Sequence, residues 1–304
     1  MTTRSLPEER GSVARIGARI SRQARWIRRD GLARTVEESR LDPGERISVA
    51  VRKWNWRRHH AVSPGHARAV FLAGVQRSGT NMVVRGLEKA PAVEVHNEDD
   101  RRLFQRFQLR SDAILAATIA RSRHQLVLIK PLCDSHRLGD LLDAVPESAA
   151  LWAYRNVDDR VRSAVAKFGD VNRRVLADIA AGDGPDRWQA GRLSPDSLEL
   201  IRELDPARLS AESAAALFWL VRNRLVLEQG LARREDVLLV SYDRLVREPE
   251  RVMRGVAEFV GLEFTPELCT HIDTRSVAAR PPVELDPRIR AECDELAAAL
   301  DAIG

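Results

Sequence analysis

A glycine-rich stretch, "GVQRSGTN", carries the residues best suited to chemistry. It follows the apolar run "RAVFLA" and precedes "NMVVRGLEKA", which predicts a turn between a buried strand and a helix. Gly74 and Gly79 have the spacing of the phosphate-binding motif G-x-x-x-x-G-K-[ST], but Thr80 follows Gly79 directly and the lysine is missing. Backbone amides of such a turn, together with the helix N-terminus, bind anions. The stretch therefore predicts a phosphate-binding turn, with an ordinary structural turn as the alternative.

Side chains in this turn add donors and charge to its amides. Arg77 supplies a permanent positive charge. Further donors are Ser78, Thr80 and Asn81. Because the motif lysine is absent and no apolar strand ends in an aspartate suited to hold magnesium, the pattern argues against a nucleotide hydrolase or a P-loop kinase.

A second anion-binding pattern lies at the end of another apolar run, in "LWAYRNVDDRVRSAV". Arg155 ends the predicted strand, and Ser163 stands eight residues later on the predicted helix. An arginine can bind a phosphate through two hydrogen bonds, and a serine in the first two helical turns can reach the same oxygens. A surface ion pair is the alternative for Arg155 alone.

The two patterns together, in this order, resemble the sulfotransferase family, whose donor is 3′-phosphoadenosine-5′-phosphosulfate (PAPS). In that family a loop similar to "QRSGT" binds the 5′-phosphosulfate, and an Arg and a Ser eight residues apart bind the 3′-phosphate. The resemblance covers residues 69–264 and is closest to the bacterial and tyrosylprotein-type branch. It implies that PAPS is bound by Arg77, Ser78, Gly79, Thr80, Asn81, Arg155 and Ser163. Asn81 departs from the family's usual second threonine. In "TRSVAAR", Arg275 and Ser276 are weak candidates to cover the nucleotide.

The same resemblance implies transfer of a sulfuryl group to a hydroxyl or amine, with no metal required. Arg77 and the loop amides are expected to stabilise charge on the leaving oxygen. Lys130, after "LVLI", matches a lysine near the sulfuryl group in the cytosolic branch. Glu98 stands 21 residues after Arg77, as the base of the tyrosylprotein-type branch does, and is our predicted base. His96 and His136 are alternative bases, and capping of a helix is the alternative role for Glu98.

The remaining sequence predicts a P-loop-like parallel sheet flanked by helices, because short apolar runs alternate with helical patterns from residue 68 onward. We expect helices over 99–109, 111–123 and 135–145, with Ser135 as an N-cap, and a loop over 180–195. Residues 67–304 would form the catalytic domain and residues 1–66 a basic arm. Residues 101–123 and 180–197 would frame the entrance for the acceptor, which a carbohydrate, lipid, natural product or peptide could supply.

The composition and charge of the chain indicate which kinds of ligand and partner it could bind. The chain of 304 residues has 49 Lys and Arg against 44 Asp and Glu, a net charge of +5 that favours an anionic ligand. Its arginine-rich arm predicts either contact with an anionic membrane surface or packing on its own domain. No nucleic-acid-binding motif occurs in the core. The absence of a signal peptide or of a membrane-spanning apolar run favours a cytoplasmic protein, and the dominance of arginine favours a GC-rich bacterial genome. The three cysteines predict reduced, buried thiols and no metal site.

Overall fold

A five-stranded parallel sheet lies at the centre of the computed structural model, which describes residues 43–183, 187–273 and 280–304. The strands in chain order are β1 (Arg68–Gly74), β2 (Val93–Asn97), β3 (Phe104–Gln105), β4 (Gln108–Leu109), β5 (Leu126–Lys130), β6 (Ala149–Tyr154) and β7 (Val237–Ser241). The spatial order is β2-β5-β1-β6-β7, with all neighbours parallel, while β3 and β4 form a separate antiparallel hairpin. The predicted α/β fold with a parallel sheet is confirmed.

Helices cover both faces of this sheet. They are α1 (Pro43–His60), α2 (Thr80–Glu88), α3 (Asp112–Arg121), α4 (Leu138–Ala144), α5 (Val157–Phe168), α6 (Val171–Ala180), α7 (Pro195–Glu203), α8 (Ala211–Glu228), α9 (Tyr242–Arg247), α10 (Pro249–Val260) and α11 (Pro287–Ile303). Short 3₁₀ segments occupy Leu132–Arg137, Pro206–Arg208, Leu231–Arg233 and Pro266–Leu268. No helix within the described ranges combines the length and apolar character needed to cross a bilayer.

Two hydrophobic clusters sandwich the sheet, because successive side chains of a strand point to opposite faces. In β1, Phe71 joins the cluster that contains α8, while Val70 and Leu72 join the cluster that contains α10. Both sets are fully buried. Burial on both faces explains why the strands are continuous apolar runs, and it leaves the strand ends as the place for polar chemistry.

Residues Val49–Gly304 form one compact unit. Within it, the Trp56 ring stacks on the His124 ring, with centroids 5.7 Å apart and an interplanar angle of 3°. The division into an arm over 1–66 and a catalytic domain over 67–304 stays a prediction. Most of the predicted membrane contact falls on residues 1–42, outside the described ranges, and also stays a prediction.

The helix predicted over 99–109 is wrong, because this stretch forms the β3–β4 hairpin. Arg106 and Phe107 have φ values of 52° and 69° and form its two-residue turn. A tight hairpin turn needs positive φ, and glycine or asparagine usually marks it in a sequence. Neither glycine nor asparagine is present here, so the sequence gives no signal for this turn.

The prediction for Ser135 also changes. Ser135 is not the N-cap of α4, which begins at Leu138; it lies in the 3₁₀ segment before that helix. Its Oγ accepts a hydrogen bond from the Gly74 amide at 3.1 Å, so Ser135 fixes the end of β1 instead. Helices α6 and α7 were not predicted.

Candidate active site

The turn between β1 and α2 is held by close backbone approach. Gly74 has a φ of 131°, and a Cβ there would lie 2.3 Å from the Ala153 carbonyl oxygen of β6. Gly79 has a φ of 84°, and a Cβ there would lie 2.1 Å from Cδ2 of Tyr242. Both positions therefore require glycine. Gly79 caps α2 with no side-chain hydrogen bond, which leaves the leading amides of the helix suited to an anion.

Two buried donors near this turn fit a phosphate ligand. The Ser78 side chain is buried, and its Oγ has no hydrogen-bond partner among the described residues. The same holds for Nε of Arg155, whose guanidinium lies 4.2 Å from the centroid of the Tyr242 ring and 3.5 Å from the Asp159 carboxylate. Buried polar atoms in proteins are normally paired, so unpaired donors indicate room for an acceptor group that is not protein.

The two sequence-predicted phosphate sites are neighbours. Nε of Arg77 donates a hydrogen bond of 2.9 Å to Oγ of Ser163 on α5. Tyr242 joins them a second time, because it packs against Gly79 and under Arg155. The turn after β1 and the element after β6 therefore face one another at the carboxyl edge of the sheet, where parallel α/β sheets bind ligands.

Arg160, which the sequence analysis missed, supports the turn from behind. Its side chain is buried, with Nε donating to the Gln76 carbonyl at 3.3 Å and Nη1 donating to the Ala215 carbonyl at 2.5 Å. Burial, and then the neighbouring charge of Arg77, lowers the pKa of Arg160 to about 9. A buried arginine bound to backbone carbonyls has no sequence signature that separates it from a surface arginine.

Lys130 links the turn to the neighbouring strand end. Its Nζ lies 2.7 Å from Oδ1 of Asn81 and 3.7 Å from Oε2 of Glu98. The lysine side chain is only 9% exposed. A buried ammonium held by an amide oxygen and a carboxylate is fixed in place, so its charge faces the first turn of α2 and the residue after β2.

Glu98 directly follows β2 and is 18% exposed. Burial raises the pKa of its carboxyl above the ordinary glutamate value, and the charge of Lys130 partly offsets this rise. The Cys133 thiol, whose own pKa is raised by burial, donates to Oε1 at 3.8 Å. A carboxylate with a raised pKa beside a fixed cation is suited to accept a proton.

The alternative base His96 is engaged on both ring nitrogens. Nδ1 lies 2.7 Å from the Asp100 carboxylate and Nε2 lies 3.2 Å from the Glu94 carboxylate. Burial acts to lower the pKa of His96, but the neighbouring carboxylates of Glu94 and Asp100 outweigh it and raise the pKa. An imidazole with a carboxylate at each ring nitrogen is a poor proton acceptor for a substrate, so the geometry favours Glu98.

His136 is the other alternative base. Its Nδ1 lies 3.1 Å from the Cys133 carbonyl oxygen, and its ring packs so closely on Gly191 that a Cβ there would lie 2.5 Å from the ring. Burial, followed by the charge of Arg222, lowers the pKa of His136 to about 4. The ring is therefore neutral and packed against backbone, which fits a structural role.

The remaining sequence predictions concern the nucleotide cover, a metal site and the cysteines. Arg275 and Ser276 lie in 274–279, outside the described residues. Within the described ranges, no group of three or more His, Cys, Asp or Glu side chains could hold a metal ion. The three cysteines are free and buried.

Sequence and structure comparisons find similarity between this chain and sulfotransferases. The sequence model of the sulfotransferase domain matches residues 215–279. No curated protein sequence matches the chain. Among solved structures, the sulfotransferase domain from the curacin biosynthetic pathway is 12% identical, with a TM-score of 0.46, over 77% of this chain and 98% of that one. A sulfotransferase from Alicyclobacillus acidocaldarius is 18% identical, with a TM-score of 0.43, over 78% and 93%. Mouse sulfotransferase SULT7A1 complexed with PAP is 13% identical, with a TM-score of 0.41, over 77% and 85%.

Proposed function

We propose that the chain transfers a sulfuryl group from PAPS to a hydroxyl or amine of an acceptor. The match of residues 215–279 to the sulfotransferase domain supports this proposal. The observation that carries this proposal is the hydrogen bond between Arg77 and Ser163. It joins the turn assigned to the 5′-phosphosulfate to the helix assigned to the 3′-phosphate. One nucleotide with phosphate groups on both its 3′ and its 5′ ribose oxygens fits that pairing.

The donor is proposed to lie along the turn after β1. The amides at the start of α2 and the hydroxyls of Ser78 and Thr80 would bind the 5′-phosphosulfate, whose charge the helix N-terminus favours. Arg155 and Ser163 would bind the 3′-phosphate, the arginine through charge-assisted hydrogen bonds. Oγ of Ser78 and Nε of Arg155 are buried and have no hydrogen-bond partner in the part of the chain that the structure describes, which supports this assignment.

The transfer is a displacement at sulfur. The acceptor oxygen or nitrogen forms a bond to sulfur while the bond between sulfur and the 5′-phosphate oxygen breaks, and the acceptor proton passes to Glu98. The products are the sulfated acceptor and adenosine 3′,5′-bisphosphate. Charge grows on the leaving oxygen, so a fixed cation beside it lowers the barrier.

Lys130 is proposed for that cation, because Asn81 holds its ammonium beside the turn. Arg77 is turned toward Ser163 and is proposed to act on the nucleotide side, with its amide contributing to the turn. Stabilisation of the leaving oxygen by Arg77, as expected from the sequence, stays a prediction.

The test is thermal stabilisation by adenosine 3′,5′-bisphosphate in the absence of magnesium. A ligand that binds the native state raises its melting temperature. We expect a clear rise for the wild-type chain and a strongly reduced rise for Arg155→Ala. Arg173→Ala is a matched control, because Arg173 on α6 pairs with Asp170 at 2.7 Å, outside the candidate site.

Two results would count against the donor. Stabilisation by magnesium-ATP but not by the bisphosphate would favour a kinase. An equal bisphosphate response in Arg155→Ala and Arg173→Ala would remove Arg155 from the site. Transfer of label from ³⁵S-PAPS to candidate hydroxyl compounds would then identify the acceptor class.

A further inference from the structure

The β3–β4 hairpin presents an exposed aromatic residue on a strained turn. Phe107 is 60% exposed, and both it and Arg106 have positive φ. Bulky residues rarely adopt this conformation, and a large apolar side chain in water gains nothing from folding. Such outliers are a reason to look for a function.

The hairpin is anchored, so its turn is held out from the protein body. Leu103 and Phe104 at its base are buried. The Leu109 amide donates to the Asp134 carboxylate at 2.8 Å, and the Arg110 amide donates to the Leu103 carbonyl at 3.0 Å. A fixed base with an exposed tip is suited to contact another surface.

This hairpin adjoins the proposed base. The Asp100 carbonyl accepts hydrogen bonds from the amides of Leu103 at 3.1 Å and Phe104 at 2.8 Å, and the Asp100 amide donates to the Asn97 carbonyl at 2.8 Å. Glu98 lies inside that short turn. The surface that the hairpin presents is therefore a few residues from the acceptor side of the site.

Exposed basic side chains lie at both ends of the hairpin, in its turn and at its base. The name hairpin tip is used below for the turn residues Arg106 and Phe107 together with Arg101 and Arg110 from the hairpin base, all exposed. The guanidinium groups of Arg101 and Arg106 form no ion pair with any residue that the structure describes. Arg110 uses Nε to bind the Arg101 carbonyl at 3.0 Å, which holds these two residues together. The tip therefore combines unneutralised positive charge with one apolar side chain.

We propose that the hairpin tip binds an anionic lipid bilayer and thereby turns the acceptor side of the site toward the membrane. Arginines bind lipid phosphates at the surface, while an aromatic side chain enters the boundary between headgroups and acyl chains. A soluble polyanion would satisfy the arginines but leave Phe107 in water. This inference rests on the proposed function, and it implies that the acceptor is an amphiphile whose hydroxyl or amine lies at the membrane surface.

The test is a local fluorescent reporter in the full chain. Phe107→Cys labelled with the environment-sensitive dye NBD is mixed with vesicles of phosphatidylcholine, with and without phosphatidylglycerol. The native thiols of Cys133, Cys269 and Cys293 are buried, so labelling is directed to the new cysteine. We expect a blue shift and brighter emission with anionic vesicles only. Phe168→Cys, 37% exposed at the end of α5, is the labelled control and should not respond.

Charge is tested on the same reporter. Replacing Arg101 and Arg106 by serine should weaken partition into anionic vesicles by about fivefold for each arginine removed. Arg208→Ser, on an exposed residue far along the chain, should leave partition unchanged.

The outcomes separate the two proposals. If the dye at position 107 shows no change with anionic vesicles, the proposed membrane contact is wrong. An equal response to heparin without lipid would also contradict it. Stabilisation of the same labelled chain by adenosine 3′,5′-bisphosphate is measured in parallel. If it occurs with a silent dye, only the membrane inference fails; if the dye responds without it, the proposed donor fails.

Discussion

The turn after β1 and the turn after β2 face the same edge of the sheet but are held by different forces. Backbone packing holds the first: Gly74 lies against the Ala153 carbonyl and Gly79 lies against Tyr242. Ionisable side chains hold the second, where His96 binds Asp100 and Lys130 lies beside Glu98. The donor side should therefore be insensitive to pH, whereas the acceptor side should respond to it.

This difference assigns separate tasks to the two turns. A phosphate group carries its charge at all physiological pH values, so a site made of amides and arginines can be rigid and permanently ready. Proton transfer needs a group whose pKa is tuned by its surroundings. Variants of the first turn should change nucleotide binding, and variants of the second should change turnover.

The largest expected effect is on turnover in Glu98→Gln. Loss of a general base costs typically 10²–10⁴-fold in rate, and we expect kcat to fall by about that factor. Stabilisation by adenosine 3′,5′-bisphosphate should be unchanged, because Glu98 lies outside the donor turn. Glu263→Gln, on an exposed glutamate, is the control. Near-normal turnover in Glu98→Gln, with loss in His136→Gln, would transfer the role to His136.

The next effect concerns the donor turn. Gly79→Ala should destabilise the fold by roughly 1–3 kcal/mol and abolish nucleotide stabilisation, because the new methyl meets Tyr242 at a strained φ. Gly230→Ala is the matched control, since Gly230 has a φ of 68° and no atom of the described residues would lie within 4 Å of an added Cβ. Urea unfolding measures both. Equal losses in the two variants would mean that only backbone strain matters at Gly79.

The pH dependence of turnover sharpens the comparison further. Because the pKa of Glu98 is raised, activity should fall as pH drops through a value above that of an ordinary glutamate. The charge of Lys130 lowers this pKa, so Lys130→Gln should move the acid limb of the profile to higher pH, besides lowering kcat. Lys167→Gln should leave the limb in place. A shift in the opposite direction would show that Lys130 and Glu98 do not interact in the enzyme.

The smallest expected effect is on stability around His96. Its folded pKa is raised, so the stabilisation is complete below the unfolded pKa of about 6.5 and is lost as pH rises through the folded value. His96→Gln should cost roughly 1 kcal/mol at low pH and less at high pH. His66→Gln, on an exposed histidine in a loop, is the control, and unfolding is measured across this pH range. A constant loss at all pH values would contradict the ion pairs.

The sheet and the residues at its edge could be predicted from the sequence. The apolar runs before Gly74 and Arg155 were predicted as strands and correspond to β1 and β6, because strands buried on both faces are unbroken apolar runs. Polar residues directly after such runs must meet at one edge, which is why Arg77, Lys130 and Arg155 could be placed beside one another. Local pattern and sheet topology suffice for this part.

The contacts that support the site could not be predicted from the sequence, because they join distant parts of the chain. Ser135 reads as a helix cap, yet it binds Gly74 at the end of β1. Phe107 lies in a turn that carries no glycine or asparagine to mark it. The tuning of Glu98 depends on burial and on Lys130, and neither is visible in the order of residues.

The bridge that Arg160 makes between the carbonyls of Gln76 and Ala215 has a consequence for synthesis on the ribosome. The glycine turn is among the first parts of the unit to emerge, but its clamp needs a helix that begins more than a hundred residues later. A nascent chain halted before α8 would expose the turn without its clamp. We therefore expect fragments that end before residue 211 to lack affinity for the nucleotide even where β1 and β6 have formed.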